Sequence, residues 1–252
     1  NRHLLLLVLL LSWSKTYNQA LEWLTPFGSS TANLKSDGML LVEGESGSLY
    51  ALGRAGGTTW DIDGEQVTIA GESDMLLVKL DPLGDVEWAR VAGGPCEAEG
   101  ASWLDEVSAI VNGPSSNQVI VAGVYTGPAD FGGVDLEGAC DMRHMYLAAY
   151  SDAGNVVWAK SGIGADVVPY VLIPGPSSEI LVFGSTVSSA TFQETPLVQA
   201  GAGGFLATYS GAGTVLGAER ILRTGAVYGG AQNQTGYFLC GGFNENDTLW
   251  ET

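Results

Sequence analysis

Three carboxylates at alternate positions, Asp61, Asp63 and Glu65 in WDIDGEQ, come nearest in this chain to the pattern of a metal site. Calcium is held by about six to eight oxygen ligands, and an acidic turn can supply several of them. The run lacks the full ligand spacing of an EF-hand loop, so it reads equally as a solvated acidic turn. The segment FNENDT from Phe243 is a shorter version of the same pattern. Cys96, Cys140 and Cys240 contain no CxxC pair, which argues against a zinc site built on thiolates. Cys240 lies in the apolar string YFLCGG and is expected to be a small buried hydrophobe.

Nucleophilic catalysis finds little material. The histidines are His3 and His144, so a Ser-His-Asp or Cys-His system would rest on His144, and no serine motif accompanies it. GESGS from Gly44 is not the G-x-S-x-G elbow. The 28 acidic residues could include a pair for glycoside cleavage, yet no spacing singles out two that face each other. No catalytic residue and no cofactor site other than the calcium candidate is therefore assigned. The tryptophans Trp23, Trp88 and Trp158 could stack on a sugar or quinone, but a repeated tryptophan more naturally fills a core.

Charge narrows the partners. The 252 residues carry a net charge of −18 with only 15% charged residues, so the acidity reflects scarce lysine and arginine. Such a surface repels phosphate backbones and anionic lipid, which excludes nucleic acid and polybasic membrane binding. Residues 1–16 begin with a basic stretch and continue with an apolar run too short for a bilayer span of about 20 residues. They read as a secretory signal peptide with Ser12-Trp13-Ser14 at the cleavage site, or as a frayed leader. No transmembrane segment is expected.

The elements that would position these residues recur. Gly84 and Trp88 are four apart, as are Gly154 and Trp158, in VKLDPLGDVEWAR and LAAYSDAGNVVWAK. A second landmark ends at Gly53, Gly123, Gly184 and Gly241, with spacings of 70, 61 and 57. The tryptophan landmark runs Trp23, Trp88, Trp158 and then Gly217, with spacings of 65, 70 and 59. A third follows the second as Trp60, Phe131, Phe192 and Trp250. Landmarks in fixed order identify an array of supersecondary units over residues 17–252, ending near residues 23, 89, 159 and 218, with a partial last unit at 219–252.

Each unit reads as four strands. In the clearest copy they are DEVSAIV, VIVAGVYTG, MYLAAY and VVWAK, the last two joined by SDAGN. Gly154, like Gly84 and Gly213, is expected to take positive φ in that turn. VIVAG is apolar throughout, as a strand covered on both faces must be. Four antiparallel strands per unit predict an all-β fold, a β-propeller with an incomplete ring of about four blades. The connections 127–144 and 93–106 would share one rim, are long and acidic, and carry Cys140 and Cys96. In an oxidising compartment those two can form a disulfide, although spacing alone does not determine connectivity.

DMLLVKLDPLGDVEWARVAGG, followed by DEVSAIV, NQVIVAGVYTG and ADFGG, resembles the seven-bladed β-propeller (SBBP) repeat family of secreted and surface bacterial proteins. The resemblance is best from Asp74 to Phe192 and weakest in the last unit, where Gly217 stands in place of the tryptophan. It implies a non-catalytic extracellular scaffold, binding a protein or glycan or serving in adhesion, with the long acidic loops of 127–144 and 93–106 as the contact region. The alternative is a propeller enzyme of the quinone-binding type, whose docking repeat sets glycine four after an aspartate. Gly84 is three after Asp81, which favours the first reading.

Overall fold

A computed structural model of the chain describes residues 28–29, 37–96, 105–114, 117–198, 201–233 and 236–242. Trp23, Trp250, residues 1–16 and the segment from Phe243 lie outside the described residues. The first blade consists of Asp37–Glu43, Leu49–Gly56, Ser73–Leu80 and Val86–Ala92, paired antiparallel in sequence order. The second blade repeats this meander with Glu106–Asn112, Gln118–Tyr125, His144–Ser151 and Val156–Gly164. The third uses Val168–Pro174, Glu179–Thr186, Gly203–Ser210 and Val215–Arg220. Ala226–Asn233 and Gly236–Gly242 then pair as the first two strands of a fourth. The fold is all-β, built from four-stranded propeller blades, and the described residues close no barrel.

The landmark glycines occupy matching places on successive sheets. Gly53, Gly123 and Gly184 sit in the second strand and pair with Leu76, Tyr146 and Phe205 of the third. The first strand of each unit carries a bulge at this level, which brings a carbonyl to where a side chain would start. A Cβ on Gly123 would strike the carbonyl oxygen of Glu106, one on Gly184 that of Val168, and one on Gly241 that of Ala226. Only glycine fits such an approach.

Cores lie between blades. Along the second strand of the second blade, Val119 and Val121 pack with Leu52 and Leu77 of the first blade, whereas Ile120 and Ala122 pack with Val182 and Phe205 of the third. The two-residue alternation of a strand splits its side chains between two neighbours. Each fully buried aliphatic side chain contributes about 1.5–3 kcal/mol, so a blade without neighbours would lose that burial on both faces. The third strand is as buried as the second, with all eight residues of Ser73–Leu80 inside.

Two expectations are corrected. Cys240 is exposed, because the strand Gly236–Gly242 has no third strand beside it among the described residues. The third landmark also shifts register. The hairpins Thr59–Ile62/Glu65–Thr68, Ala129–Asp130/Asp135–Leu136 and Ala190–Phe192/Thr195–Pro196 follow the second strand of each blade. Each pairs with chain that comes before its own blade, as Gly28 with Asp61, Gly93 of the first blade with Asp130 and Ile163 of the second with Thr191. Their turns place Asp63, Gly132 and Gln193 at φ of 51°, 64° and 54°. Ile62, and not Trp60, is therefore the counterpart of Phe131 and Phe192, and all three are buried. Trp60 occupies the place of Ala129 and Ala190 and donates its indole N–H to the Gly56 carbonyl at 2.9 Å.

Candidate functional site

The rim that carries the hairpins begins with Cys96 and Cys140, which form a disulfide with Cα atoms 5.7 Å apart. Gly127, at φ 69°, lies against it, and a Cβ there would strike Cys96 Sγ and come within 2.9 Å of Cys140 Sγ. The segment 127–144 is anchored along its length. Phe131 and Leu136 are buried in the core between the first two blades. The Gly127 N–H donates to the Ala139 carbonyl at 3.1 Å, and the Tyr125 hydroxyl donates to the Glu137 carbonyl at 2.6 Å. The Ala139 N–H donates to His144 Nε2 at 2.9 Å, which requires an unprotonated acceptor nitrogen. The long acidic connection is thus a clamped hairpin and turn, because its apolar residues face inward. Asp130, Asp135, Glu137 and Asp141 are exposed along it. Residues 97–104 of the other connection lie outside the described residues.

The calcium candidates are committed to turn geometry. Asp61 Oδ1 accepts from the Gly64 N–H at 2.8 Å, and Oδ2 accepts from Gln66 Nε2 at 2.8 Å. Asp130 Oδ1 accepts from the Gly133 N–H in the equivalent turn. Asp63 is the first turn residue and Glu65 opens the return strand. Among the described residues no group of three or more His, Cys, Asp or Glu is placed to hold a metal ion. Asp81, the aspartate of the quinone-type comparison, bonds the N–H groups of Leu83 and Asp85 through Oδ1 at 2.8 and 2.9 Å. Its carboxylate closes its own turn.

Glycine and tryptophan recur together for a reason that spans two units. Trp88 lies on the turn glycine of the next blade, so a Cβ on Gly154 would be 2.8 Å from its ring. Trp158 lies on Gly213 in the same way, at 2.6 Å. Each indole N–H donates to the carbonyl two residues before that glycine, Trp88 to Asp152 at 2.9 Å and Trp158 to Gly211 at 3.1 Å. Gly84, Gly154 and Gly213 have φ of 88°, 75° and 76°. Gly217, in the tryptophan's place, has open space where a Cβ would sit.

Sequence reasoning missed a polar node on the opposite rim. Lys79, buried in the apolar run of the first blade, reaches Asp152 Oδ1 at 2.6 Å and Glu87 Oε2 at 2.7 Å. The Tyr50 hydroxyl donates to the same Asp152 oxygen at 2.8 Å. Burial works against the ammonium, but the hydrogen bonds to Asp152 and Glu87 prevail and raise its pKa. The bond from Lys79 chiefly lowers that of Asp152. A lysine inside MLLVKL was the available signal, since a buried ammonium needs a carboxylate. Beside this node a cleft of about 160 Å³ is lined by Glu45, Tyr50, Asn112, Asn117 and Gln118. That is below the roughly 300 Å³ of ordinary small-molecule sites. Among the described residues no helix is long and apolar enough to cross a membrane. No protein-family model matches the chain, and no curated relative matches it.

Proposed function

We propose that this chain is a non-catalytic, secreted or surface-displayed propeller repeat protein that uses its disulfide-bearing rim to bind a protein or glycan partner, as in adhesion. The resemblance to the SBBP repeats supports the architecture and the extracellular setting. The observation that carries the reading is the row of exposed carboxylates Asp130, Asp135, Glu137 and Asp141 on a segment held by Phe131, Leu136 and the Cys96–Cys140 bond. Preorganised loops lose little entropy on binding, and same-sign charge on a rigid rim selects a complementary surface. A disulfide persists in oxidising compartments, which suits the proposed location. Neither a cofactor nor nucleic acid enters this reading.

The test compares the wild-type chain with D130N/D135N/E137Q/D141N on a glycan array and on immobilised polylysine, with near-UV circular dichroism to establish equal folding. Binding that falls at least about tenfold in the variant, and that weakens with salt, is expected. Equal binding by both proteins, or none by either, counts against the rim. Deleting residues 132–140 is not a usable test, since it removes the buried Leu136 and the disulfide partner Cys140.

A further inference from the structure

Where the first blade meets the second, two carboxyls are buried that neither the repeat nor the rim accounts for. Asp74 is the second residue of the third strand of the first blade and is 0% exposed, and Asp105 precedes the first strand of the second and is 4% exposed. One oxygen of each is bonded to backbone: the Ala70 N–H donates to Asp74 Oδ2 at 2.6 Å, and the Thr126 N–H donates to Asp105 Oδ1 at 2.9 Å. The remaining oxygens, Asp74 Oδ1 and Asp105 Oδ2, are buried with no hydrogen-bond partner among the described residues. Both border a single point. A Cβ built on Gly93 would strike Asp74 Oδ1 and lie 2.7 Å from Asp105 Oδ2. Gly93 in turn exchanges both backbone bonds with Asp130, so this point lies directly beneath the rim hairpin.

Two buried carboxylates without a counter-charge would each forfeit hydration and repel the other. One proton between them converts an unpartnered pair of acceptors into an O–H···O⁻ bond, among the stronger hydrogen bonds available. A cation is the poorer occupant. It needs several more oxygen ligands, whereas the groups that bond these carboxyls are the N–H groups of Ala70 and Thr126 and a single oxygen, the Thr126 hydroxyl at 3.4 Å. We propose that Asp74 and Asp105 share a single proton beside Gly93, and that this bond is a pH-sensitive fastening between the first and second blades.

Burial is the main cause that raises both groups, Asp74 to about 6 and Asp105 to about 8, and the charge of Asp74 adds to the rise at Asp105. From the surrounding elements, Tyr125 and Tyr146 of the second blade feel the charge of Asp105. Glu106, next along the strand, pairs with Arg54 of the first blade at 3.9 Å. Ser73 donates its hydroxyl to the Asp105 carbonyl at 3.4 Å, and Asp130 faces Gly93 from the hairpin. Folded-state values above the unfolded aspartate value of about 3.9 mean that the folded chain holds more protons. Stability is thus full below about pH 4 and is lost as pH rises towards about 8.

Thermal unfolding of the whole chain between about pH 6 and pH 9 tests this. The wild-type midpoint should drop by about 3–5 °C over that range. D105N should flatten the drop, because its amide can donate to Asp74 Oδ1 while its carbonyl still accepts from Thr126. D74N is the second variant and should do the same. Independently of any variant, the infrared carbonyl band of a protonated carboxyl should be present in wild-type protein at neutral pH and vanish at alkaline pH. A flat wild-type profile, an unchanged slope in both variants, or the absence of that band at neutral pH overturns the proposal. So does a midpoint at alkaline pH that rises with added calcium chloride and falls with EDTA, which would assign the pair to a cation instead.

Discussion

The seam between the first and second blades and the seam between the second and third share one lock and differ in nearly everything polar. In both, a fourth-strand tryptophan lies on the turn glycine of the next blade and donates to a carbonyl of that turn. Across from Trp88 the third strand carries Lys79, and across from Trp158 it carries Ala149. Asp152, which receives Lys79, has Gly211 as its counterpart. Asp105 before one first strand corresponds to the buried Val167 before the next. Asp74, two places beyond the landmark glycine on the paired strand, corresponds to His144. The tryptophan on glycine is thus the general means of joining blades, and the charged groups differ by seam: Lys79, Asp152, Asp74 and Asp105 belong to the first, whereas the second carries the Arg143–Asp166 pair at 2.9 Å. A polar seam depends on the protonation of its members, whereas an apolar one depends chiefly on shape.

Breaking the shared lock should have the largest effect. Trp88→Ala and Trp158→Ala should each lose about 3–5 kcal/mol in urea unfolding, as large-to-small core changes do. The two losses should be similar; a small loss at one seam alone would mean that the lock is not shared. Gly154→Ala and Gly213→Ala come next, at about 2–4 kcal/mol each, from the left-handed backbone and from the clash with the indole. The same urea series measures them. Lys79→Met sharpens the contrast, since it strikes only the first seam. It should cost about 1–2 kcal/mol at low salt and less at high salt, because Asp152 and Glu87 are half in water.

The smallest expected effect concerns the sign of the pH response. Burial holds the His144 pKa below its ordinary value, and its Nε2 accepts a backbone N–H. A base with a depressed folded pKa loses stability as pH falls below the unfolded value of about 6.5, opposite in sense to the Asp74 and Asp105 pair. His144→Gln, which keeps an acceptor for Ala139, should remove this acid-side loss and leave the alkaline side unchanged in the same thermal scans. Retention of the acid-side loss in that variant would move its origin away from His144.

Much of the blade was legible in the chain because its signals are local. A positive-φ glycine in a five-residue turn, an apolar second strand and a recurring tryptophan each declare themselves within a few residues. The third landmark was not, since Trp60 and Ile62 are both buried and only pairing with chain that comes before the blade tells which one matches Phe131. The rim segment misled by composition. Its acids are visible as a run, whereas Phe131 and Leu136 point inward for reasons that lie in the first blade. Cys240 looked buried by its neighbours, and its exposure follows from its strand having no third strand beside it among the described residues.

By itself the sequence determined the unit: four strands, their turns and the order of the landmarks, all products of steric preference and of the two-residue alternation of strands. Only the tertiary structure decided what the landmarks touch. Trp88 meets Gly154, Lys79 meets Asp152, and Asp74 and Asp105 border one point at Gly93, all across blade boundaries. Contacts between distant segments depend on how whole sheets stack, and no local preference encodes that.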